Sequence, residues 1–450
     1  MNKNRSTRRE FLKIATAAAA SAPFILPSRI WSAQTKPNDR ITIGFIGVGK
    51  QGMGLLSGFL GSKEVQVVAV CDVDTTRREN AKKAVDAHYA RQSGGYSRSC
   101  GAYNDFRVLI AGDDIDAVVI ATPDHWHALI AIAAADAGKD IYCEKPLCQS
   151  IHEARAMVNA VQRNGCVFQT GSMQRSSREF RVACELVRNG VIGQIQTVQV
   201  GVSGPPTPCD LPEEKAEPGL DWNLWLGPAP MRPYNSVLSP RGVHDHYPAW
   251  RNYSEYGGGG VTDWGAHHFD IAQWGLGMDD SGPVEIIPPV EYANAQQGVK
   301  FIYENGVVLF HVIENGVTFT GTDGKIFVNR GKFALELNGV SKAKSLSKED
   351  KPSLNEQLDA IEKEFLSNAP IKLYVSNDHR ADFIAAVRSR NQPITGVEIG
   401  ARTVSVCHLA NLAYNHGQAM KWDPAKEQFV GGTGNPKWLD VPYRGLWKLT

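Results

Sequence analysis

Gly47, Gly49 and Gly52 set the first chemical constraint on this sequence: they lie in the loop Gly47-Val48-Gly49-Lys50-Gln51-Gly52, directly after the apolar run Ile41–Ile46. In such a loop the first glycine permits a tight turn, the second lets the backbone approach a pyrophosphate, and the third lets helix and strand pack closely. The helix that opens there turns its N-terminus toward the anion. About twenty positions later Asp72 closes the next apolar run, where a carboxylate accepts a hydrogen bond from a ribose 2′-hydroxyl and repels a 2′-phosphate. NAD is therefore expected over NADP, qualified by Arg77 and Arg78, which stand near enough in sequence to accommodate a phosphate.

Two further segments follow apolar runs: Thr122-Pro123-Asp124-His125 and Glu144-Lys145-Pro146. An open α/β sheet binds its ligand beyond the carboxyl ends of its strands, so Thr122, Pro123, His125, Glu144 and Lys145 join the glycine loop, Lys50, Gln51 and Asp72 as expected cofactor contacts. A lysine held at such a strand end can stabilise a developing alkoxide or steer a hydroxyl; a surface lysine capping a helix start is the plainer alternative. Spacing alone leaves the two open.

From Ile41 to about Gly171, apolar runs alternate with helix-period stretches, which predicts a parallel sheet with helices on both faces. After Ser172 the pattern changes to a helix, a strand, a long Pro/Gly-rich stretch to about Tyr256, and then β-type runs punctuated by Asn305-Gly306, Asn315-Gly316 and Asp323-Gly324. These dipeptides predict tight hairpin turns and a largely antiparallel second sheet, with two late helices (378–390 and 397–417) packed on something. The expected organisation is an export signal at 1–33, a dinucleotide-binding Rossmann domain at 38–172 and an α+β substrate and oligomerisation domain at 173–450.

The sequence resembles the Gfo/Idh/MocA oxidoreductases across essentially all of the chain past the signal. The resemblance rests on the glycine loop with Asp72, the Glu144-Lys145-Pro146 turn, and the run Gly257-Gly258-Gly259-Gly260-Val261-Thr262-Asp263-Trp264-Gly265-Ala266-His267-His268-Phe269-Asp270. It implies a catalytic set of Lys145, Asp263 and His267, a homo-oligomer built through the second sheet, and a redox reaction without a catalytic metal. Physical chemistry is consistent with this: residues four apart on a helix share a face, an imidazole is a suitable base for a hydroxyl proton, and a nearby carboxylate can orient it. The implied reaction is oxidation of a sugar, glycoside or polyol at a secondary hydroxyl. A glycosidase that oxidises its sugar transiently with bound NAD is the alternative. A sensor without catalysis would be expected to lose the lysine and Asp-x-x-x-His set.

The stretch from Ser203 to Tyr256 is the expected substrate wall, where Trp222, Trp225, Tyr234, Tyr247 and Trp250 offer rigid apolar faces with polar edges, and Arg251 a charge. The same rings could instead bury themselves to pin a loop that has no core of its own. His244, His246, His125, His127 and His268, with Asp245, have spacings that suit a metal, but hydrogen bonding of His246 and His268 to a polyol is an equal use for these side chains.

The chain of 450 residues is 42% hydrophobic and 21% charged, enough for two packed cores and unlike a nucleic-acid or membrane-binding composition. Its formal charge of +1 hides an asymmetry: residues 1–33 hold Lys3, Arg5, Arg8, Arg9, Lys13 and Arg29 against Glu10 alone. Arg8-Arg9 before Phe11-Leu12-Lys13 and a short small-apolar run predict twin-arginine export to the periplasm or beyond, with cleavage after Ala33 made less clean by Trp31. A disordered basic tail or a retained anchor is the alternative. The eight cysteines are too sparse for a disulfide scaffold and are expected to behave as small hydrophobes, a bridge involving Cys100 or Cys209 being the exception to test.

Overall fold

The computed structural model describes residues 40–92 and 99–449; the expected export signal lies outside the described residues. Six strands, β1 (Ile41–Ile46), β2 (Val65–Cys71), β3 (Gly101–Tyr103), β4 (Ala117–Ile120), β5 (Asp140–Cys143) and β6 (Phe168–Thr170), pair in parallel in the order β3-β2-β1-β4-β5-β6. Five helices connect them: α1 (Lys50–Leu60), α2 (Thr75–Gln92), α3 (Phe106–Ile110), α4 (Asp124–Asp136) and α5 (Ile151–Asn164). Strand side chains alternate between faces. Ile43, Phe45, Ala117 and Val119 enter one core with Leu56 and Phe59 of α1, while Ile46, Val118 and Ile120 enter another with Ile130 and Met157 of α4 and α5. The strand order reverses between β1 and β4, so a crevice opens at their carboxyl ends, where the glycine loop and Thr122 sit.

Past Ser172 the chain builds a second sheet. α6 (Arg178–Arg188), β7 (Ile195–Gly201), α7 (Trp222–Leu226), α8 (Gly259–Asp263) and α9 (Gly265–Leu276) are followed by β8 (Glu285–Ile287), β9 (Lys300–Ile302), β10 (Val308–Val312), β11 (Gly316–Gly321), β12 (Gly324–Asn329), β13 (Lys332–Leu337) and β14 (Val340–Ser345). α10 (Leu354–Ile361), α11 (His379–Ser389), α12 (Val397–His416), β15 (Met420–Asp423) and β16 (Gln428–Val430) complete the fold. The sheet has ten strands in the order β14-β13-β12-β11-β7-β10-β9-β8-β15-β16, with β7 and β10 parallel and the other pairs with recorded register antiparallel.

Asn305-Gly306 and Asp323-Gly324 turn between paired strands as their chemistry predicts, but Asn315-Gly316 does not make a hairpin. β10 and β11 both flank β7, which is inserted between them, so that dipeptide begins a crossover. Asn338-Gly339 makes the β13–β14 hairpin instead, with φ of 51° and 77°.

α6 and α9 cover the second sheet, burying Phe180, Leu186, Phe269 and Ile271 with Val198 and Phe319. α11 packs on the first sheet, where Phe383 meets the Tyr142 ring edge-on at 5.8 Å. α12 serves both: Val397, Ala401 and Val404 join the first domain's core, and Val406, Leu409 and Ala413 the second. The two domains are thus held by shared core as well as by the connecting chain. All eight cysteines are free thiols, Cys100 buried and Cys209 half-buried. Among the described residues no helix is long and apolar enough to cross a membrane.

Five buried histidines, His125, His127, His268, His311 and His379, are pushed down to about 4 by loss of hydration. Unfolded, each takes a proton near pH 6.5; folded, only near 4. The unfolded state therefore binds more protons between these values, and stability is lost as pH falls through that window. The urea midpoint is expected to drop steadily from about pH 7 to about pH 5, and a flat midpoint would count against neutral buried imidazoles.

Candidate active site

The glycine loop has the backbone that a pyrophosphate requires. Gly47 stands at φ 84°, and a Cβ on Gly52 would lie 2.0 Å from the Gly47 carbonyl oxygen, so neither position admits a side chain. No atom lies within 4 Å of where a Cβ on Gly49 would sit, which leaves the α1 N-terminus open. Asp72 follows β2 beside it, accepting from the Val48 N–H at 2.9 Å through Oδ2 and from the Asp74 N–H at 2.9 Å through Oδ1. Each oxygen retains acceptor capacity for a ribose hydroxyl. Burial raises this carboxyl above the ordinary carboxylate range, with the Arg77 charge opposing.

Arg77 and Arg78, the two groups that qualified the choice of dinucleotide, are both engaged elsewhere. Arg77 binds the Gly242 carbonyl at 3.1 Å, the Ser239 hydroxyl and the Pro240 carbonyl; Arg78 donates to the Asp72 carbonyl at 2.7 Å and to Asn104 at 3.1 Å. The cradle fits NAD, and a 2′-phosphate would meet the Asp72 carboxyl while Arg77 and Arg78 are engaged by other partners.

The lysine turn is built into this cradle from below. Gln51 donates to Glu144 Oε1 at 2.8 Å, and burial raises the Glu144 carboxyl above its ordinary range. Next along the chain, Lys145 Nζ donates to Asp263 Oδ1 at 2.6 Å and to the Asp263 carbonyl at 2.9 Å. That carbonyl is available because the expected single helix is two: α8 ends at Asp263, and the His267 N–H bonds to the Trp264 carbonyl at 3.0 Å instead of reaching back four residues. The break thus exposes a second acceptor for the lysine. His127 braces the same turn from behind, its ring nitrogens 2.8 Å from the Pro146 carbonyl and 2.9 Å from the Thr122 carbonyl.

The Asp263 carboxylate faces cations, with Arg251 Nε 3.6 Å from Oδ1 besides Lys145. Burial opposes its ionisation, yet the Lys145 and Arg251 charges hold it below the usual carboxylate range. This corrects one expectation: the carboxylate is taken by Lys145, and no hydrogen bond links it to the imidazole. His267 is buried and its Nδ1 has no protein partner, while burial and the Lys145 charge hold the ring well below its ordinary pKa. The ring therefore has a nitrogen with no hydrogen-bond partner among the described residues.

The stretch from 203 to 256 divides between the dinucleotide groove and a second cavity. Trp225, Trp250, Tyr247, Pro248 and Arg251 line the dinucleotide groove with Gly47, Gly49, Lys50, Gln51, Asp72, Thr122 and Pro123. Tyr247, Pro248 and Arg251 also wall a second cavity of about 440 Å³, which reaches Asp263 and Trp264. Lys50 pairs with Asp245, and Tyr247 donates to Gln51 at 3.2 Å, so the stretch is tied across the glycine loop.

Trp222 and Tyr234 line neither cavity. Trp222 stacks on Trp225 at 4.6 Å and donates to the Arg232 carbonyl at 2.8 Å, and Tyr234 donates to the Ser239 carbonyl at 2.8 Å, the pinning role of aromatics in a segment without its own core. His246 lies outside both cavities, its carbonyl 2.9 Å from His244 Nδ1. His268 and His125 are buried against backbone carbonyls, of Gly201 and Trp225, each at 2.9 Å, and so do not face either ligand space. Among the described residues no group of three or more His, Cys, Asp or Glu is placed to hold a metal.

Two residues escaped the sequence reading. Asp124, at the start of α4, is buried, and burial raises its carboxyl well above the usual range against the pull of Arg251 and Lys145. Its place in the segment after β4 was the available signal. Arg330, on the β12–β13 turn, stacks over the Trp264 ring at 4.8 Å and carries no local signal at all.

Comparison with known proteins agrees with this architecture. The model of the oxidoreductase family with an NAD-binding Rossmann fold matches residues 41–172, and that of the family's C-terminal alpha/beta domain matches residues 207–449. The chain belongs to the Gfo/Idh/MocA oxidoreductase family, and its first domain is an NAD-binding Rossmann domain. Among curated relatives, the glycosyl hydrolase family 109 protein 2 of Shewanella sp. (strain ANA-3) is 31% identical over 206 residues, covering 42% of this chain and 44% of that protein. The family 109 protein of Shewanella pealeana is 30% identical over the same coverage, so the chain spans less than half the length of these relatives. Among solved structures, the aldose-aldose oxidoreductase of Caulobacter crescentus has a TM-score of 0.55 at 16% identity, covering 85% of this chain and 99% of its own. The WlbA dehydrogenase of Bordetella pertussis, in complex with NADH and UDP-GlcNAcA, has a TM-score of 0.56 at 16% identity with the same coverage. At these identities the likeness is one of fold.

Proposed function

We propose that this protein oxidises a secondary hydroxyl of a sugar, glycoside or polyol. The observation that carries the reading is Lys145, held by the carboxylate and the carbonyl of Asp263, a wall of the second cavity, with the unpartnered His267 Nδ1 four residues further on. Lys145 holds the substrate oxygen and stabilises it as the proton leaves; His267 accepts that proton; Asp263 keeps the ammonium aimed. Bound NAD supplies the acceptor for the carbinol hydride. Residues Gly47 to Gly52 and Asp72 would hold it, and the ties from Lys50, Gln51 and Arg77 to the 239–247 stretch favour slow release.

Export by the twin-arginine route fits the same picture, since that route carries folded proteins to a space poor in free nicotinamide, where cofactor retained in the site is recycled by alternating substrates. Assembly through the second sheet is the corresponding proposal for quaternary structure. A second reading draws on the family 109 names of the curated relatives: oxidation serves hydrolysis, and the hydride returns after the glycosidic bond is cut.

One set of measurements separates these. Protein dialysed at length and then denatured is expected to release NAD and no NADP; rapid loss on dialysis would sink cofactor retention. The dialysed protein, given chromogenic glycosides without added NAD, releases aglycone if it hydrolyses, and forms a keto-sugar with trapped NADH if it is a dehydrogenase. A sugar panel that yields neither product removes both readings.

A further inference from the structure

Three cations stand against walls of the second cavity, Lys145 and Arg251 at Asp263 and Arg330 at Trp264. Lys145 and Arg251 share the Asp263 carboxylate, whereas Arg330 has no carboxylate partner among the described residues. It is nonetheless held with care. It sits in a two-residue turn between Asn329 and Lys332, which face each other across β12 and β13. Its own N–H donates to Asn329 Oδ1 at 2.7 Å, and the next residue, Gly331, donates to Glu179 of α6 at 3.0 Å, which docks the turn.

The guanidinium lies over the Trp264 ring, a wall of the cavity, at 4.8 Å. With the Gln174 amide turned to satisfy both of its ends, its oxygen accepts from Arg330 Nε at 3.3 Å and its nitrogen donates to the His267 carbonyl at 3.0 Å. The ring plane and Nε are therefore fixed, and the two terminal nitrogens have no hydrogen-bond partner among the described residues. Through Gln174 the guanidinium is tied to the backbone of His267.

We propose that the substrate is a sugar that bears a carboxylate, a uronic acid or its glycoside, and that Arg330 is the residue that reads it. The inference rests on the oxidoreductase assignment and narrows its substrate class. A planar carboxylate matches the two terminal nitrogens of a guanidinium in a bidentate pair, a geometry that a lysine cannot reproduce. A neutral sugar would leave this prearranged edge to water.

The test uses the holoprotein with glucuronate and galacturonate beside glucose and galactose, and methyl β-glucuronide beside methyl β-glucoside. Nicotinamide reduction gives kcat/KM, and calorimetric titration gives binding without need of turnover. The acids are expected to exceed their neutral partners about tenfold or more in kcat/KM. Arg330→Gln should cut the acid's value about 10- to 100-fold, chiefly through KM, and bring the acid-to-neutral ratio toward one, with Arg330→Lys recovering part of it. Neutral sugars turned over as well as the acids would overturn the proposal and leave the oxidoreductase assignment standing. Arg330-dependent binding of acids with no nicotinamide reduction would uphold the proposal and overturn that assignment. Acids that neither bind nor react, or an acid-to-neutral ratio unmoved in both variants, would overturn the proposal; so would preference for a sulfated sugar over the uronate. If Arg330→Gln fails to fold, the wild-type ratio and Arg330→Lys decide.

Discussion

Lys145→Met is expected to lower kcat by about 10²- to 10⁴-fold while bound NAD is retained, because the substitution removes a group that acts on the reacting oxygen and leaves the glycine cradle intact. The variant also changes the electrostatics around it. Asp263 keeps Arg251, at 3.6 Å, but loses its nearer cation, and the ammonium that helps hold the His267 ring below its ordinary pKa is gone. The imidazole pKa therefore rises, and a base that must be neutral titrates at higher pH. The acid limb of the kcat profile should lie below pH 6.5 in the native protein and move upward in the variant. Single-turnover reduction of bound NAD across pH measures both effects. A kcat near that of the native protein would remove Lys145 from the chemistry.

The second large effect is on stability. Arg175 and Asp270 are both buried and joined by three hydrogen bonds of 2.7 to 3.0 Å, and the Thr403 hydroxyl donates a fourth to Asp270 at 3.0 Å. Asp270→Ala leaves a buried guanidinium without its main partner, a change that typically costs about 3–5 kcal/mol. Asp279 still receives the Arg175 fork at 2.7 and 2.9 Å from a partly exposed position, so the loss should fall at the lower end, about 3 kcal/mol. Asp270→Asn, which keeps an acceptor, should lose less. Chemical unfolding of the three proteins side by side measures it, and equal midpoints for Asp270→Ala and the native protein would show that the pair contributes nothing. Because α9 carries both Asp270 and His267, the same substitution is expected to depress kcat further than Asp270→Asn.

What could be read before any coordinates follows from how local each signal is. The glycine loop, Asp72 and the alternating runs are decided within some thirty residues, and turn, strand and helix each impose a period that composition alone reveals. The doubly wound sheet and the mostly antiparallel second sheet were legible for that reason. Lys145 and Asp263 meet across 118 residues, and no spacing rule connects them; only likeness to a family placed them together.

The departures have physical causes too. Asn315-Gly316 has hairpin chemistry, but whether two strands pair depends on what is inserted between them, here β7. The Asp-x-x-x-His pair has helical spacing, but the helix is broken at Trp264, which gives the Asp263 carbonyl to Lys145. Trp222 and Tyr234 look like sugar-binding rings because the side chains that pin a loop and those that hold a sugar are of the same types. Arg330 was invisible because an arginine in a two-residue turn has no local reason to differ from any other exposed arginine.

Tyr247, Pro248 and Arg251 form a party wall between two compartments. Whatever occupies one side sets where the wall stands for the other, so the dinucleotide and the smaller ligand are thermodynamically linked. Linkage of this kind is reciprocal: a ligand that tightens the hold on NAD must itself be held more tightly by the protein that has NAD, and by the same factor. The oxidised and reduced forms of the cofactor differ in charge at the nicotinamide and so press on that wall differently. The two redox states of one protein should therefore rank the same ligands in different order, and the turn of the catalytic cycle itself would exchange one substrate for the next.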